Sequence, residues 1–169
     1  MNRDGFTLIE IIIVMALLGI LSAIASLQWS DYLRKVEIER QTRELYSDLM
    51  TCRVAAVTQR CPKRVIVTPT VFTFISSARG GDVSSGRTTR VLSQPVSWAG
   101  KTSGDSEALI LFDERGTFDI DVGNGNTTIC VEPSHKSAQY DGIVVFSTRI
   151  HLGKVAFGEV CKSANVTVK

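Results

Sequence analysis

The chain has 169 residues, 44% apolar and 21% charged, with 19 Lys and Arg set against 17 Asp and Glu for a formal charge of +2. That length suits one domain plus an anchor. The charge balance gives no basic excess of the kind that would single out nucleic acid as a partner. At the start, Met1-Asn-Arg-Asp-Gly5 is a short polar leader. From Phe6 to Leu27 the next 22 residues are apolar almost throughout, and a bilayer core of about 30 Å takes ~20 residues of helix. Ile11, Val14, Leu18, Leu21 and Ile24 belong to this expected span. Glu10 is its one charged residue, and an ionisable group inside a membrane segment is a functional hypothesis by default. A secretory signal would place a small-residue cut site after the apolar run, not before it. An ordinary anchor gives no role to Gly5-Phe6 or Glu10, and a buried core helix would need apolar partners that no other segment supplies.

From residue 29 to about 60 the pattern stays helical and becomes amphipathic. Ile38, Thr42, Leu45, Leu49, Cys52 and Ala56 recur at three- and four-residue steps and form the expected core face. The opposite face carries Arg34, Lys35, Glu37, Arg40, Arg43, Glu44 and Asp48, and Pro62 ends the run. Beyond it the period changes to that of strands. Segments 64–68 and 71–75 read as a hairpin, followed by an exposed Gly/Ser/Arg loop over 76–90. Further strands are expected at 91–97, 108–113, 117–122, 127–132, 143–147 and 154–157, with a short segment from Val160. The turn 123–126 contains Asn-Gly, a hairpin signal. Seven or eight short strands behind one long helix give an α+β fold class: a long N-terminal helix packed on a C-terminal antiparallel β-sheet or β-sandwich domain.

The four cysteines, Cys52, Cys61, Cys130 and Cys161, all follow the span. Disulfides are permitted there if that part is periplasmic, and four cysteines allow three connectivities that sequence does not separate. The favoured expectation is Cys52–Cys61 at the helix end and Cys130–Cys161 between C-terminal strands. No Cys-x-x-Cys spacing supports zinc. Asp119 and Asp121 precede a glycine, but the required calcium-loop ligands do not follow. His135 and His151 have no partner set, so no catalytic group, metal or cofactor is expected and the protein is not read as an enzyme.

Gly5-Phe6-Thr7-Leu8-Ile9-Glu10 plus the apolar run resembles the N-terminus of type IV pilins and type II secretion pseudopilins. The resemblance implies that a prepilin peptidase cuts between Gly5 and Phe6 and that Phe6 becomes N-methylated. It makes Glu10 the assembly glutamate. Two buried charges are tolerated only when paired with good geometry, and a neighbour shifted axially by about one turn brings its Phe6 amine to this Glu10. The organisation implied is a cleaved leader (1–5), a transmembrane and filament-core helix (6–28), its amphipathic continuation (29–60) and a periplasmic β-rich domain (61–169). Residues 45–60, Leu111 to Thr117 and Ile143 to Val155 are similar to the GspH/FimT group of minor pilins and pseudopilins. Gly153-Lys154 stands where that group usually has Gly-Arg. The resemblance implies assembly with other pilin subunits through an inner-membrane platform, in contact with membrane lipid, in a type IV pilus or a type II secretion pseudopilus. An alternative is a DNA-binding minor pilin, with Lys154, Lys162 and Lys169 as candidate contacts beside the Arg-containing loop.

Overall fold

A computed structural model of the chain describes residues 7–76, 87–99, 106–120 and 126–168. Gly5, Phe6, Lys169, Arg79 and most of the expected turn at 123–126 lie outside the described residues. Helix α1 covers Leu8–Gln59, and the chain divides into two compact units between Lys35 and Val36. The first unit contains the apolar part of α1. The second holds residues from Val36 onward and carries the core.

No proline interrupts α1, and its end is built by the backbone. Arg60 adopts a left-handed φ of 47°. The Cys61 N–H donates to the Ala56 carbonyl at 3.2 Å and the Arg60 N–H to Val57 at 3.4 Å. These two bonds satisfy carbonyls that a helix end would otherwise leave open.

The strands described are β1 (Lys63–Val67), β2 (Val71–Ser76), β3 (Arg87–Val91), β4 (Val96–Trp98), β5 (Ala108–Phe112), β6 (Phe118–Ile120), β7 (Asn126–Val131), β8 (Gly142–Phe146), β9 (Ile150–Val155) and β10 (Val166–Val168). They form two five-stranded sheets, ordered β3-β2-β1-β5-β6 and β10-β9-β8-β7-β4. Every strand pair is antiparallel. Alternation sets the buried face: Val65 and Val67 of β1 and Ala108, Ile110 and Phe112 of β5 point inward. They share one core with Ile38, Leu45, Leu49 and Ala56 of α1 and with Trp98, Ile129, Ile143 and Val145 of the second sheet. The fold is thus α+β, with the second half of α1 packed on antiparallel sheets.

Strand β8 is buried on both faces. Its far side is covered by a smaller cluster of Cys130, Val144, Val155, Cys161 and Val166. Cys130 and Cys161 are disulfide-bonded, with Cα atoms 5.9 Å apart. Gly153 of β9 is required by this covering layer, because a Cβ there would lie 2.3 Å from Val166 Cγ1.

Several expectations are corrected. Cys52 and Cys61 are not disulfide-bonded. Helix α1 continues past Cys52 to Gln59, roughly 10 Å of rise at ~1.5 Å per residue. A disulfide does not bridge Cα atoms more than about 7 Å apart. The stretch expected as an exposed loop over 76–90 ends in strand β3, hydrogen-bonded along β2 from Ile75↔Arg87 to Val71↔Val91. The single strand expected over 91–97 is divided between β3 and β4. Buried Gln41 holds the bend between them: its Nε2 donates to Gln94 O and its Oε1 accepts from Gln94 N–H, each at 2.8 Å. Strand β9 begins at Ile150 rather than 154, so the described residues contain ten strands.

Candidate functional site

The first candidate site is the start of α1. Thr7 caps the helix: the Glu10 N–H donates to Thr7 Oγ1 at 3.3 Å and to the Thr7 carbonyl at 3.1 Å. Thr7-x-x-Glu10 therefore has the spacing of a capping box, with Glu10 in the first turn, where the helix dipole favours an anion. No cation among the described residues lies within ion-pair distance of Glu10. The local role is real but small, worth about 0.3–1 kcal/mol at an exposed site.

From Leu8 to Ile24 every described side chain is exposed. Ile11, Val14, Leu18, Leu21 and Ile24 are all among them. Twelve large apolar side chains lie uncovered in this stretch; at about 1.5–3 kcal/mol each on burial, covering them is worth tens of kcal/mol. Mean hydropathy reaches 2.7 in an 18-residue window, none of it buried. Inside it the Ser22 hydroxyl is satisfied locally, Oγ donating to Leu18 O at 2.7 Å. A helix with its backbone paired internally and its side chains apolar all round meets the requirements of a lipid solvent.

The second unit places the remaining candidates. Lys154 Nζ donates to Asp141 Oδ2 and to the His135 carbonyl. Asp141 is fully buried, and its Oδ1 accepts from the Val155 N–H at 2.7 Å. Lys154 is thus an internal counter-ion to a buried carboxylate. Lys162 is exposed. Arg87 is exposed, whereas Arg90 pairs with Glu44 at 3.0 Å and Asp48 at 2.7 Å. Glu44 and Glu37 also grip Arg40, at 2.6 and 2.7 Å. The hydrogen bond from Arg40 holds the Glu37 carboxyl below its ordinary range, with Ser93 helping. Burial raises Asp48 despite its Arg90 partner.

Between α1, β2 and β3 lies a cavity of about 510 Å³ lined by Asp48, Cys52, Gln59, Lys63, Phe74 and Arg90, among others. Within it Lys63 Nζ donates to Gln59 Oε1 at 2.6 Å and Arg90 pairs with Asp48. Burial, assisted by the Asp48 charge, pushes the Cys52 thiol up to about 11 and keeps it protonated. Among the described residues no three His, Cys, Asp or Glu side chains converge as a metal site. His135 accepts from the Ser137 N–H, and His151 meets the Phe146 ring edge-on. Sequence reasoning missed Asp141, Gln41 and the Arg90 contacts, whose partners are distant in the chain. The Thr7-x-x-Glu10 spacing was a local signal for the cap.

Comparison with known proteins points to the same end of the chain. Residues 1–26 match the family model described as the prokaryotic N-terminal methylation motif. A fimbrial protein of Pseudomonas aeruginosa is 44% identical over 55 residues, 32% of this chain and 35% of that protein. The type IV major fimbrial protein FimA of Dichelobacter nodosus is 41% identical over 53 residues, 30% and 34% of the two chains. The fimbrial protein EcpB of Eikenella corrodens is 51% identical over 46 residues, 27% and 29%. The matched region spans about a third of the length of these relatives. Among solved structures, the type IV minor pilin FimU of Pseudomonas aeruginosa aligns with a TM-score of 0.49 and 15% identity, over 72% of this chain and 91% of that one.

Proposed function

We propose that this type IV pilin-like protein is a membrane-anchored subunit that leaves the bilayer to join a type IV pilus filament. The observation that carries the reading is the wholly exposed apolar helix from Leu8 to Ile24 with Glu10 as its one charge. Lipid covers that surface before assembly and the helices of other subunits cover it afterwards. Cleavage between Gly5 and Phe6 by a prepilin peptidase, followed by methylation of the Phe6 amine, creates a cation four residues before Glu10. Within one helix that amine stands at the same end as Glu10; the neighbour's amine, displaced by about one turn, is the partner that neutralises it. The similarity of residues 1–26 to the methylation motif supports this processing. The fimbrial names of the matched relatives favour a pilus over a type II secretion pseudopilus. In this reading the helix crosses the inner membrane, an assembly platform there extracts the subunit, and residues 61–169 face the periplasm. The resemblance in residues 45–60, 111–117 and 143–155 favours a minor subunit over the main building block.

The test is mass spectrometry combined with a Glu10→Ala variant. Filaments sheared from cells should contain a chain beginning at methylated Phe6. Glu10→Ala should remain in the membrane fraction and fall at least about tenfold in the sheared fraction, the scale expected for a buried charge that loses its partner. Intact Met1 in assembled material, or normal incorporation of Glu10→Ala, overturns the reading.

A further inference from the structure

The apolar stretch gives way abruptly to a turn of different chemistry. Trp29 and Tyr32 are the only aromatic residues between Phe6 and Tyr46. They stand one turn apart with ring centroids separated by 6.3 Å, and they are 64% and 57% exposed. Arg34 follows, exposed as well, and Asp31 and Lys35 share the turn. Trp and Tyr rings with one apolar and one polar end concentrate at the membrane–water boundary, and Arg beside them reaches for phosphate.

Length decides where this turn falls. At ~1.5 Å per residue, Trp29 lies about 29 Å from Glu10 along the helix, Tyr32 about 33 Å and Arg34 about 36 Å. The hydrocarbon core is ~30 Å thick, and ~40–45 Å with both headgroup layers. Two registers compete. If Glu10 sits at the cytoplasmic boundary, Trp29 reaches the far edge of the hydrocarbon and Tyr32 and Arg34 fall within the opposite headgroup layer. If the helix slides so that Glu10 lies a turn deeper, Tyr32 and Arg34 are carried beyond that layer. The aromatic–basic turn favours the first register and opposes the second.

We infer that the turn from Trp29 to Arg34 is a phospholipid-headgroup anchor on the outer side of the membrane. It fixes the depth of the helix and holds Glu10 at the opposite boundary of the hydrocarbon. This rests on the membrane-span reading above.

The experiment reconstitutes the full chain in vesicles of phosphatidylcholine and phosphatidylglycerol whose acyl chains are brominated either near the glycerol or near the terminal methyl. Trp98 is buried at 2% exposure, and subtracting a Trp29→Phe variant isolates the Trp29 emission. Shallow bromines should quench Trp29 at least about twofold more than deep ones, as for an indole at the headgroup level. In a Tyr32→Ala/Arg34→Gln variant that ratio should fall toward one. Retention of the chain through a urea wash with deep quenching equal to shallow, or with no quenching, overturns the anchor and leaves the span standing. An unchanged ratio in the double variant overturns the assignment to this turn. Release of the chain by the wash overturns the span and the anchor together.

Discussion

Helix α1 passes through two environments under one hydrogen-bonding pattern. From Leu8 to Ile24 its apolar side chains are exposed; after Val36 a buried stripe of Ile38, Leu45, Leu49 and Ala56 meets two sheets. The charges follow the same division. Glu10 has no cation within ion-pair distance among the described residues, whereas Asp141, fully buried, has Lys154 and the Val155 N–H. The second unit thus buries its core and the Asp141 charge against partners of its own, while the described apolar side chains at the start of the first stay exposed. On the proposed function, lipid or other subunits cover that surface.

The largest effect that would sharpen this contrast is loss of the buried pair. Asp141→Ala should destabilise the second unit by about 3–5 kcal/mol, because it strands the Lys154 charge. Glu10→Ala should leave the melting temperature of the detergent-solubilised chain unchanged; equal losses from the two variants would erase the distinction. Next, Leu49→Ala, at a fully buried position, should cost about 2–5 kcal/mol in denaturant unfolding. Leu18→Ala, 54% exposed, should cost under about 0.5 kcal/mol by the same measurement. A similar penalty at both sites would mean that the apolar half is covered from within.

Cys52 offers a pH test of the groove beside α1. The thiol is pushed up to about 11, so its thiolate is scarce at neutral pH and grows as pH rises toward that value. In a Cys61→Ser variant its alkylation at pH 8 should be roughly 100-fold slower than that of an ordinary thiol, and climb about tenfold per pH unit. Alkylation at the ordinary rate would show that the groove is open to water. The smallest expected change is Arg90→Gln. Its two partially exposed ion pairs to α1 should be worth about 0.2–1 kcal/mol in thermal unfolding, and less in high salt.

What could be read from the residues in advance depended on how local the cause was. The apolar run from Phe6 and the core stripe of α1 are set by composition and helical spacing, and both were legible. Strand β3 was not: Arg87-Thr-Thr-Arg90 carries no apolar alternation, because an edge strand needs only one paired partner and its outward side chains need no core. Strand β9 was obscured by Gly153, which reads as a turn in isolation but makes room for Val166. Lys154 looked like a surface cation because its counter-ion lies 13 residues back, across a strand pairing that spacing alone does not reveal. The Cys52–Cys61 expectation failed for a related reason: nearness in sequence is not nearness in space along a rigid helix.

The Cys130–Cys161 bond has a mechanical consequence for a chain pulled from its C-terminal end. It encloses β8 and β9 in one covalent ring, leaving only a single 3₁₀ turn, Ser163–Asn165, and β10 beyond it among the described residues. A tug on that end peels three residues of β10 and then stops, since the load passes through sulfur to β7. That strand is gripped on both sides, by β4 and by β8, so further extension must shear two ladders at once rather than unzip one. The crosslink converts a strand edge that would tear bond by bond into one that resists as a unit.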